Sequence, residues 1–341
     1  MRVVVTGASG AVGRHVADRL AANPAVTELV GLDRAVSFGV TAFDLLGDDL
    51  SEVLREGDTI VHLATSPTGF AGEQGAARND VAMADRIVSA AADAGAAHLV
   101  LASSAMVYGA WADNPLPITE AAPVRPNPEF RFGVVRTELE QMGAAWQEDT
   151  GGALTVLRAA TTLARGRENG LANLLRDTAA LRNAEGEAPA QFLHAEDFAT
   201  AVETVVVGRH DGVFNVAPDG WLRPNEVAAL RGTPETPLRV PGFVVAIVAE
   251  GRRRMGATTH PGLTPYLQHP WVVANDRLRA LGWEPEFSNE EAYVAGHRPS
   301  RFDGITSKRR QELAMGAAGA LVGLSGLGLI ALLRWFWRRS R

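Results

Sequence analysis

The sequence predicts an α/β fold in which a doubly wound parallel sheet is followed by a smaller C-terminal region and an apolar C-terminal helix. Three observations support this fold. An apolar segment enters a glycine-rich turn at 3–13, strand-like and helix-like segments alternate over 1–160, and residues 313–333 contain no charged side chain. Because parallel strands need crossover connections, regular alternation of strands and helices is typical of a parallel sheet.

The first predicted strand leads directly into three regularly spaced glycines. Residues 3–5 are all valine and precede Gly7, Gly10 and Gly13. In such a turn the first glycine permits the tight bend, the second lets the backbone approach a pyrophosphate, and the third lets the next helix pack against the strand. The helix then offers its free N–H groups to the phosphates. The pattern predicts a Rossmann-type dinucleotide site, with further contacts from neighbouring residues Thr6, Ala11 and Val12.

An acidic residue follows the second predicted strand, 28–32. Asp33 comes 20 residues after Gly13, a spacing at which a carboxylate accepts hydrogen bonds from the adenosine ribose. Its charge repels a 2′-phosphate, so NAD is favoured over NADP, although Arg34 and Arg14 reduce that preference. A glycine turn in an unrelated protein is the alternative, and the ordered strand, glycines, helix and acid argue against it.

The same alternation continues along the body. We predict strands over 59–63, 98–102 and 153–158, and helices over 76–94 and 132–147. After these elements the connections lengthen and read as irregular segments with short helices.

The predicted organisation has an NAD(P)-binding domain over 1–160 and a substrate or lid region over 161–300, interleaved with the last strands of the sheet. A basic linker at 301–312 leads to the apolar helix at 313–333, and a short basic tail covers 334–341. Ligands of doubly wound folds bind beyond the carboxyl ends of the strands, where the lid region is expected to lie.

Residues 313–333 are long enough to span a membrane, since a helix of that length covers roughly the 30 Å of a bilayer core. Basic residues flank both ends, so the positive-inside rule does not decide the orientation. A buried or amphipathic helix is the alternative, but it does not explain apolar residues on all faces. No leader precedes the first strand, so we expect a single-pass anchor with the body in the cytoplasm. Gly319 and Gly323 make a homodimer one hypothesis.

Composition excludes several classes of function. The net charge of −6 argues against a nucleic-acid partner. The chain has no cysteine, which excludes disulfides, thiolate chemistry and cysteine-ligated zinc, and no metal site is predicted. Lys308 is the only lysine, so the body contains none for catalysis.

Several short motifs occur in an order typical of one family. They lie at 6–13, 43–45, 61–64, Asn79, 103–109, 191–197 and 281–285. Together they resemble the extended short-chain dehydrogenase/reductases of the NAD-dependent epimerase/dehydratase type, over about residues 1–295. The resemblance implies that the glycines hold the pyrophosphate of NAD and that Asp33 holds its adenosine ribose. It also implies that Asp44 and Leu45 contact the adenine, and that Leu63 and Ala64 line the path towards the nicotinamide.

Members of this family carry a Tyr-x-x-x-Lys pair on the long helix and a partner serine before a Val-Tyr-Gly phrase. The serine orients a substrate oxygen, the tyrosine exchanges its proton as hydride moves, and the lysine lowers the tyrosine pKa and holds the nicotinamide ribose. Ser104 matches the serine, whereas Phe132 stands at the tyrosine position and Arg136 at the lysine position. No small shift of the alignment restores a tyrosine, because Phe130 is the only other aromatic residue nearby. The implied catalytic residues are Ser104 and Arg136.

Two functions are compatible with these residues. The first is a membrane-tethered oxidoreductase or epimerase that uses a non-standard acid/base group on a nucleotide-sugar, lipid-linked or sterol-like substrate. The second is a catalytically inactive relative that binds NAD(H) and serves as a sensor or membrane scaffold. Loss of the tyrosine favours the second function, whereas Ser104 and the intact glycine turn favour some remaining ligand chemistry.

Overall fold

The computed structural model describes residues 1–35, 37, 39–66, 74–164, 188–230 and 261–296. The chain divides into two compact units, Met1–Val227 with Pro237–His297 and Ala228–Thr236 with Arg298–Arg341. The first unit contains the sheet and the candidate site. Its strands are β1 (Arg2–Thr6), β2 (Glu28–Asp33), β3 (Val40–Ala42), β4 (Thr59–His62), β5 (His98–Ser104), β6 (Ala153–Ala159), β7 (Thr161–Leu163), β8 (Phe192–His194) and β9 (Gly212–Val216).

Helices alternate with these strands. They are α1 (Ala11–Ala22), α2 (Gln74–Asp93), α3 (Arg131–Thr150), α4 (Ala195–Val207), α5 (Pro224–Leu230), α6 (Thr264–Gln268), α7 (Asp276–Arg279) and α8 (Asn289–Ala295). Short 3₁₀ helices cover Leu50–Glu52, Ala105–Tyr108 and Pro261–Leu263.

The main sheet has seven strands in the order β3-β2-β1-β4-β5-β6-β9, and all neighbours pair in parallel. The chain moves from β1 outward to β3, then crosses back to place β4 on the other side of β1. This reversal makes the carboxyl ends of β1 and β4 the switch point of the sheet, where ligands of such folds bind. The predicted doubly wound α/β fold is confirmed.

Apolar side chains cover both faces of the sheet. On one face α1 packs against α4, with Leu20 and Val202 fully buried. On the other face α2 packs against α3, with Ile87 and Trp146 in the core. Strands that are buried on both faces have continuous apolar sequences. The three valines at 3–5 therefore predict strand β1 clearly.

Amide side chains tie the C-terminal region to the sheet. Gln191 exchanges two hydrogen bonds with the backbone of Val273, of 2.8 and 3.0 Å. Asn289, at the start of α8, accepts the N–H of Phe192 at 3.0 Å. Because Gln191, Asn289 and Phe192 are buried, these bonds are shielded from water and fix the smaller C-terminal elements on the body.

Several element boundaries differ from the sequence prediction. Helix α3 continues to Thr150 and ends where Gly151 adopts a positive φ of 71°. Strand β7 occupies a stretch that the sequence predicts as irregular. Its partner is β8, about 30 residues away, and such pairing leaves no local signal.

The predicted linker at 301–312, membrane helix at 313–333 and tail at 334–341 lie outside the described residues, as do parts of the predicted lid region. Among the described residues, no helix is long and apolar enough to cross a membrane.

A buried ion pair joins α3 to β6. Arg158 contacts Glu140 at 2.6 Å, and Ser103 also donates to the same carboxylate. Arg158 further donates to the hydroxyl of Tyr108 at 2.9 Å, and that hydroxyl donates to Asn215 at 2.8 Å. Burial raises the pKa of Tyr108, which is consistent with a packing role in the 3₁₀ helix after β5.

We expect Glu140→Ala to lower the free energy of unfolding by about 3–5 kcal/mol, because it leaves the Arg158 guanidinium buried without its counter-charge. The double variant Glu140→Met, Arg158→Met should lose less, since neither charge remains. Urea denaturation followed by circular dichroism measures both. A double variant less stable than the single one would contradict this account.

Candidate functional site

The turn between β1 and α1 leaves no room for side chains at two of its glycines. Gly7 has a φ of 75°, and a Cβ atom there would lie 2.8 Å from the Cα of Ala64. A Cβ on Gly13 would lie 2.0 Å from the carbonyl oxygen of Gly7. Gly10 precedes α1, which has no side-chain cap, so its first N–H groups are available to an anion. Ala11 and Val12, both partly exposed, begin that helix.

Thr6, at the end of β1, contacts residues at and after the end of β4. It is fully buried, and its hydroxyl lies 2.8 Å from Nδ1 of His62 and accepts the N–H of Ala64 at 3.4 Å. Burial lowers the pKa of His62 to about 3, so the ring is neutral at physiological pH. The Thr6 hydroxyl therefore joins the ends of β1 and β4 beside the glycine turn.

Asp33 lies beside the glycine turn at the end of β2. One carboxylate oxygen accepts the N–H of Ser9 and the other the N–H of Ala35, both at 3.0 Å. A carboxylate oxygen has more than one lone pair, so both oxygens can still accept ribose hydroxyls. Arg34 is exposed next to it.

The residues predicted along the cofactor path occupy different environments. Asp44 accepts an N–H of its own turn at 3.1 Å, and Leu45 is only 5% exposed within the core beneath α2. Leu63 and Ala64 are partly exposed after β4, and Ala64 packs on Gly7. Leu63 and Ala64 therefore border the turn, whereas Leu45 serves the core and Asp44 shapes a turn.

Ser104 ends β5 and caps the following 3₁₀ helix. Its hydroxyl oxygen accepts the N–H of Met106 at 3.3 Å. Within the described part of the chain this hydroxyl makes no other hydrogen bond, so its hydrogen is available to a ligand.

Helix α3 brings Phe132 and Arg136 to the same place. A Cβ on Gly133 would lie 2.9 Å from the carbonyl oxygen of Met106, so the first turn of α3 packs directly on the 3₁₀ helix after Ser104. Arg136 donates to the carbonyl oxygen of Ala102 in β5 at 3.3 Å. Phe132 and Arg136, which stay predictions for the Tyr-x-x-x-Lys positions, thus both lie at the carboxyl end of β5.

The guanidinium of Arg136 is buried with few partners. The residue is 6% exposed, and its guanidinium carbon lies 4.9 Å from the centroid of the Phe132 ring. Burial lowers its pKa, while the carboxylate of Asp80 raises it. Among the described residues, Ala102 provides its only hydrogen-bond acceptor, although a guanidinium has five N–H donors. Several donors remain for a ligand.

All three tyrosines of the sequence are described, and none stands at the expected position. Tyr108 belongs to the buried network described above. Tyr266 is 2% exposed and donates its hydroxyl hydrogen to the carbonyl of Met106 at 3.1 Å, and burial raises its pKa. Tyr293 packs edge-on against Phe192, with the ring centroids 5.1 Å apart. The hydroxyls of Tyr108 and Tyr266 are therefore already hydrogen-bonded to other groups.

Asp80 belongs to this site but was not predicted from sequence. It is 6% exposed, accepts the hydroxyl of Thr65 at 2.8 Å and accepts the N–H of Ser66 at 2.6 Å. It thereby ties α2 to the segment that follows Ala64. The only sequence signal is its position after Asn79, because nothing local pairs it with residues 65–66.

A model of the NAD dependent epimerase/dehydratase family matches residues 3–217. Uncharacterized proteins of Mycobacterium tuberculosis and Mycobacterium bovis are 27% identical over an alignment of 311 residues, which covers 85% of this chain and 82% of each relative.

Solved structures share the fold. The UDP-glucuronic acid 4-epimerase of Bacillus cereus, in complex with UDP-glucuronic acid and NAD, is 16% identical with a TM-score of 0.66, over 87% of this chain and 98% of that one. The UDP-glucose 4-epimerase of Thermus thermophilus, in complex with NAD, is 19% identical with a TM-score of 0.66, over 87% and 97%. MoeE5, with UDP-glucuronic acid and NAD, is 21% identical with a TM-score of 0.64, over 86% and 97%.

NAD is present in all three of these structures, which share the parallel sheet with its C-terminal region. The family match covers most of that sheet and more than half of the chain. The protein therefore belongs to the NAD-dependent epimerase/dehydratase family.

Proposed function

We propose that this protein binds NAD(H) at the carboxyl edge of its sheet and has lost the tyrosine-dependent proton transfer of its family. It would then act as an NAD(H)-responsive protein. The observation that carries the proposal is the position of Phe132 on α3, beside the segment after Ser104, where no tyrosine stands.

The residues present fit a dinucleotide. The glycine turn, in which Gly7 and Gly13 leave no room for side chains, and the uncapped start of α1 would hold the pyrophosphate. Asp33 would accept the adenosine ribose hydroxyls. Ser104 and Arg136 would contact the nicotinamide end. NAD, when bound, supplies a hydride acceptor.

Proton transfer is the step that this chain lacks. Phenylalanine has no exchangeable proton, and losing a positioned acid/base group typically slows a reaction by about 10²–10⁴-fold. Arg136 can donate to ribose hydroxyls, but there is no phenol whose pKa it could lower. Binding without rapid turnover is the result that we infer.

A second candidate is an oxidoreductase or epimerase that uses another acid. The unused hydroxyl hydrogen of Ser104 favours it, because a ligand oxygen could still be oriented there. The nucleotide sugars bound to the structural neighbours support that substrate class. However, residues 159–166 lack the aromatic residue, the asparagine and the Gly-Pro pair that are usual in family members acting on nucleotide sugars. Lipid-linked and sterol-like substrates are therefore proposed beside nucleotide sugars.

We further propose that residues 313–333 attach the protein to a membrane. Leu324→Arg, near the middle of this segment, should move the protein out of the carbonate-resistant membrane fraction, because a central arginine costs about 2.5–3.5 kcal/mol on insertion. Leu116→Arg adds the same charge to an exposed position and should leave the distribution unchanged. Recovery of the unaltered protein in the soluble fraction would rule out the anchor.

Cofactor binding is tested by calorimetric titration of the full chain with NAD, NADH, NADP and NADPH. We expect Asp33→Asn to weaken NADH binding about tenfold or more, since hydrogen bonds to a charged group contribute about 1.5–3 kcal/mol. Asp49→Asn alters an exposed carboxylate that only caps a 3₁₀ helix, so it should bind like the unaltered protein. A folded protein that binds none of the four nucleotides would refute the proposed function.

The loss of proton transfer is tested by restoring the family pair. We expect the unaltered protein with NAD to show no reduction of nicotinamide on addition of UDP-glucose or UDP-glucuronic acid. Phe132→Tyr, Arg136→Lys should gain measurable turnover, because it returns both the proton donor and the group that tunes it. Turnover by the unaltered protein as fast as by the double variant would instead favour the second candidate.

A further inference from the structure

We propose that Arg136 makes this site prefer the reduced cofactor, NADH, over NAD, and that Asp80 limits this preference. The inference rests on the proposed function, because it concerns the redox state of the dinucleotide that the same site would bind. Its basis is the charge balance around the Phe132 and Arg136 side chains.

The positive charge of Arg136 is buried without a hydrogen-bonded counter-charge. Among the described residues its hydrogen-bond acceptor is the carbonyl of Ala102, and its other close neighbour is the ring of Phe132. His62 also lies close enough to feel this charge and is neutral, because burial and the guanidinium itself lower its pKa. Arg136 and His62 together therefore contribute one positive charge.

Phe132, at the position where the family carries a tyrosine, cannot neutralise the positive charge of Arg136. A tyrosine beside a cation can ionise and become negative, whereas Phe132 is neutral at every pH. Arginine also keeps its proton at every physiological pH. The side chains of Phe132 and Arg136 together thus carry a charge of +1 that does not change with physiological pH.

Within the described part of the chain, Asp80 is the one acidic residue found to act on Arg136. Its oxygens already accept Thr65 and Ser66, so it acts across space and not through a hydrogen bond. It offsets only part of the charge.

The two redox states of the cofactor differ in charge at the ring that Arg136 would approach. The nicotinamide ring of NAD is positive and that of NADH is neutral, while the rest of the molecule is the same. At an effective dielectric constant of about 20, like charges about 6–8 Å apart weaken binding by roughly 30- to 100-fold. A preference for NADH follows.

The test is the ratio of Kd values for NAD and NADH, measured on the full chain by calorimetry and by fluorescence of bound NADH. We expect NADH to bind at least about tenfold more tightly than NAD. Arg136→Met should lower the ratio at least about fivefold, and Asp80→Asn should raise it, since it removes the opposing charge but keeps the shape of the side chain. Because both ligands are measured on one protein, general destabilisation cancels in the ratio.

Arg131→Met is the matched control. Arg131 is on the same helix but is half-exposed and paired with Glu138 at 3.9 Å, so its loss should leave the ratio unchanged. If both nucleotides bind but neither Arg136→Met nor Asp80→Asn changes the ratio of their Kd values, the inference is overturned. The proposed function would then still stand. If Arg136→Met does not fold, the direction of change in Asp80→Asn decides. Failure of both nucleotides to bind would overturn the proposed function and the inference together.

Discussion

The close approach of two backbones at the end of β1 is the constraint on which the rest of this structure depends. Gly7 lies against Ala64 because no Cβ intervenes, and Gly13 lies against the carbonyl of Gly7 for the same reason. The first contact holds β1 and β4 together at the switch point, and the second sets where α1 starts. A side chain at either glycine would separate these elements, so the sheet order, the uncapped helix start and the position of Asp33 share one cause.

The packing of helix α3 does not depend on a tyrosine at position 132. Gly133 packs α3 on the segment after Ser104, and the Glu140–Arg158 pair fixes the same helix to β6 further along. Phe132 then fills its position as a buried ring and provides a face for the guanidinium of Arg136. Aromatic packing at position 132 can therefore persist without a phenol hydroxyl, so the shape of the site does not by itself fix its chemistry.

The sequence predicts those parts of this site that depend on residues close together in the chain or on motifs in a known order. The glycine spacing, Asp33 after the second strand, and the Ser104, Phe132 and Arg136 positions all follow from residues close to one another or from motifs in order. The contacts of Asp80 with Thr65 and Ser66, the pairing of β7 with β8, and the approach of Tyr266 to Met106 join distant segments, so no local pattern indicates them. The adenine contact of Leu45 stays a prediction, because an apolar residue at a strand end suits a core as well as a ligand.

In the proposed cofactor site, Phe132 and Arg136 together set the electrostatics at the carboxyl edge of the sheet. A tyrosine and a lysine can each change protonation and so exchange a proton during a reaction. Phenylalanine and arginine cannot, and their combination leaves a charge that is constant with pH in a buried site. Within the described ranges, His62 is neutral and Asp80 already accepts hydrogen bonds from Thr65 and Ser66, so neither residue gives this charge a hydrogen-bonded counter-charge. A site of this kind is suited to discriminate between charge states of what it binds, and poorly suited to move protons.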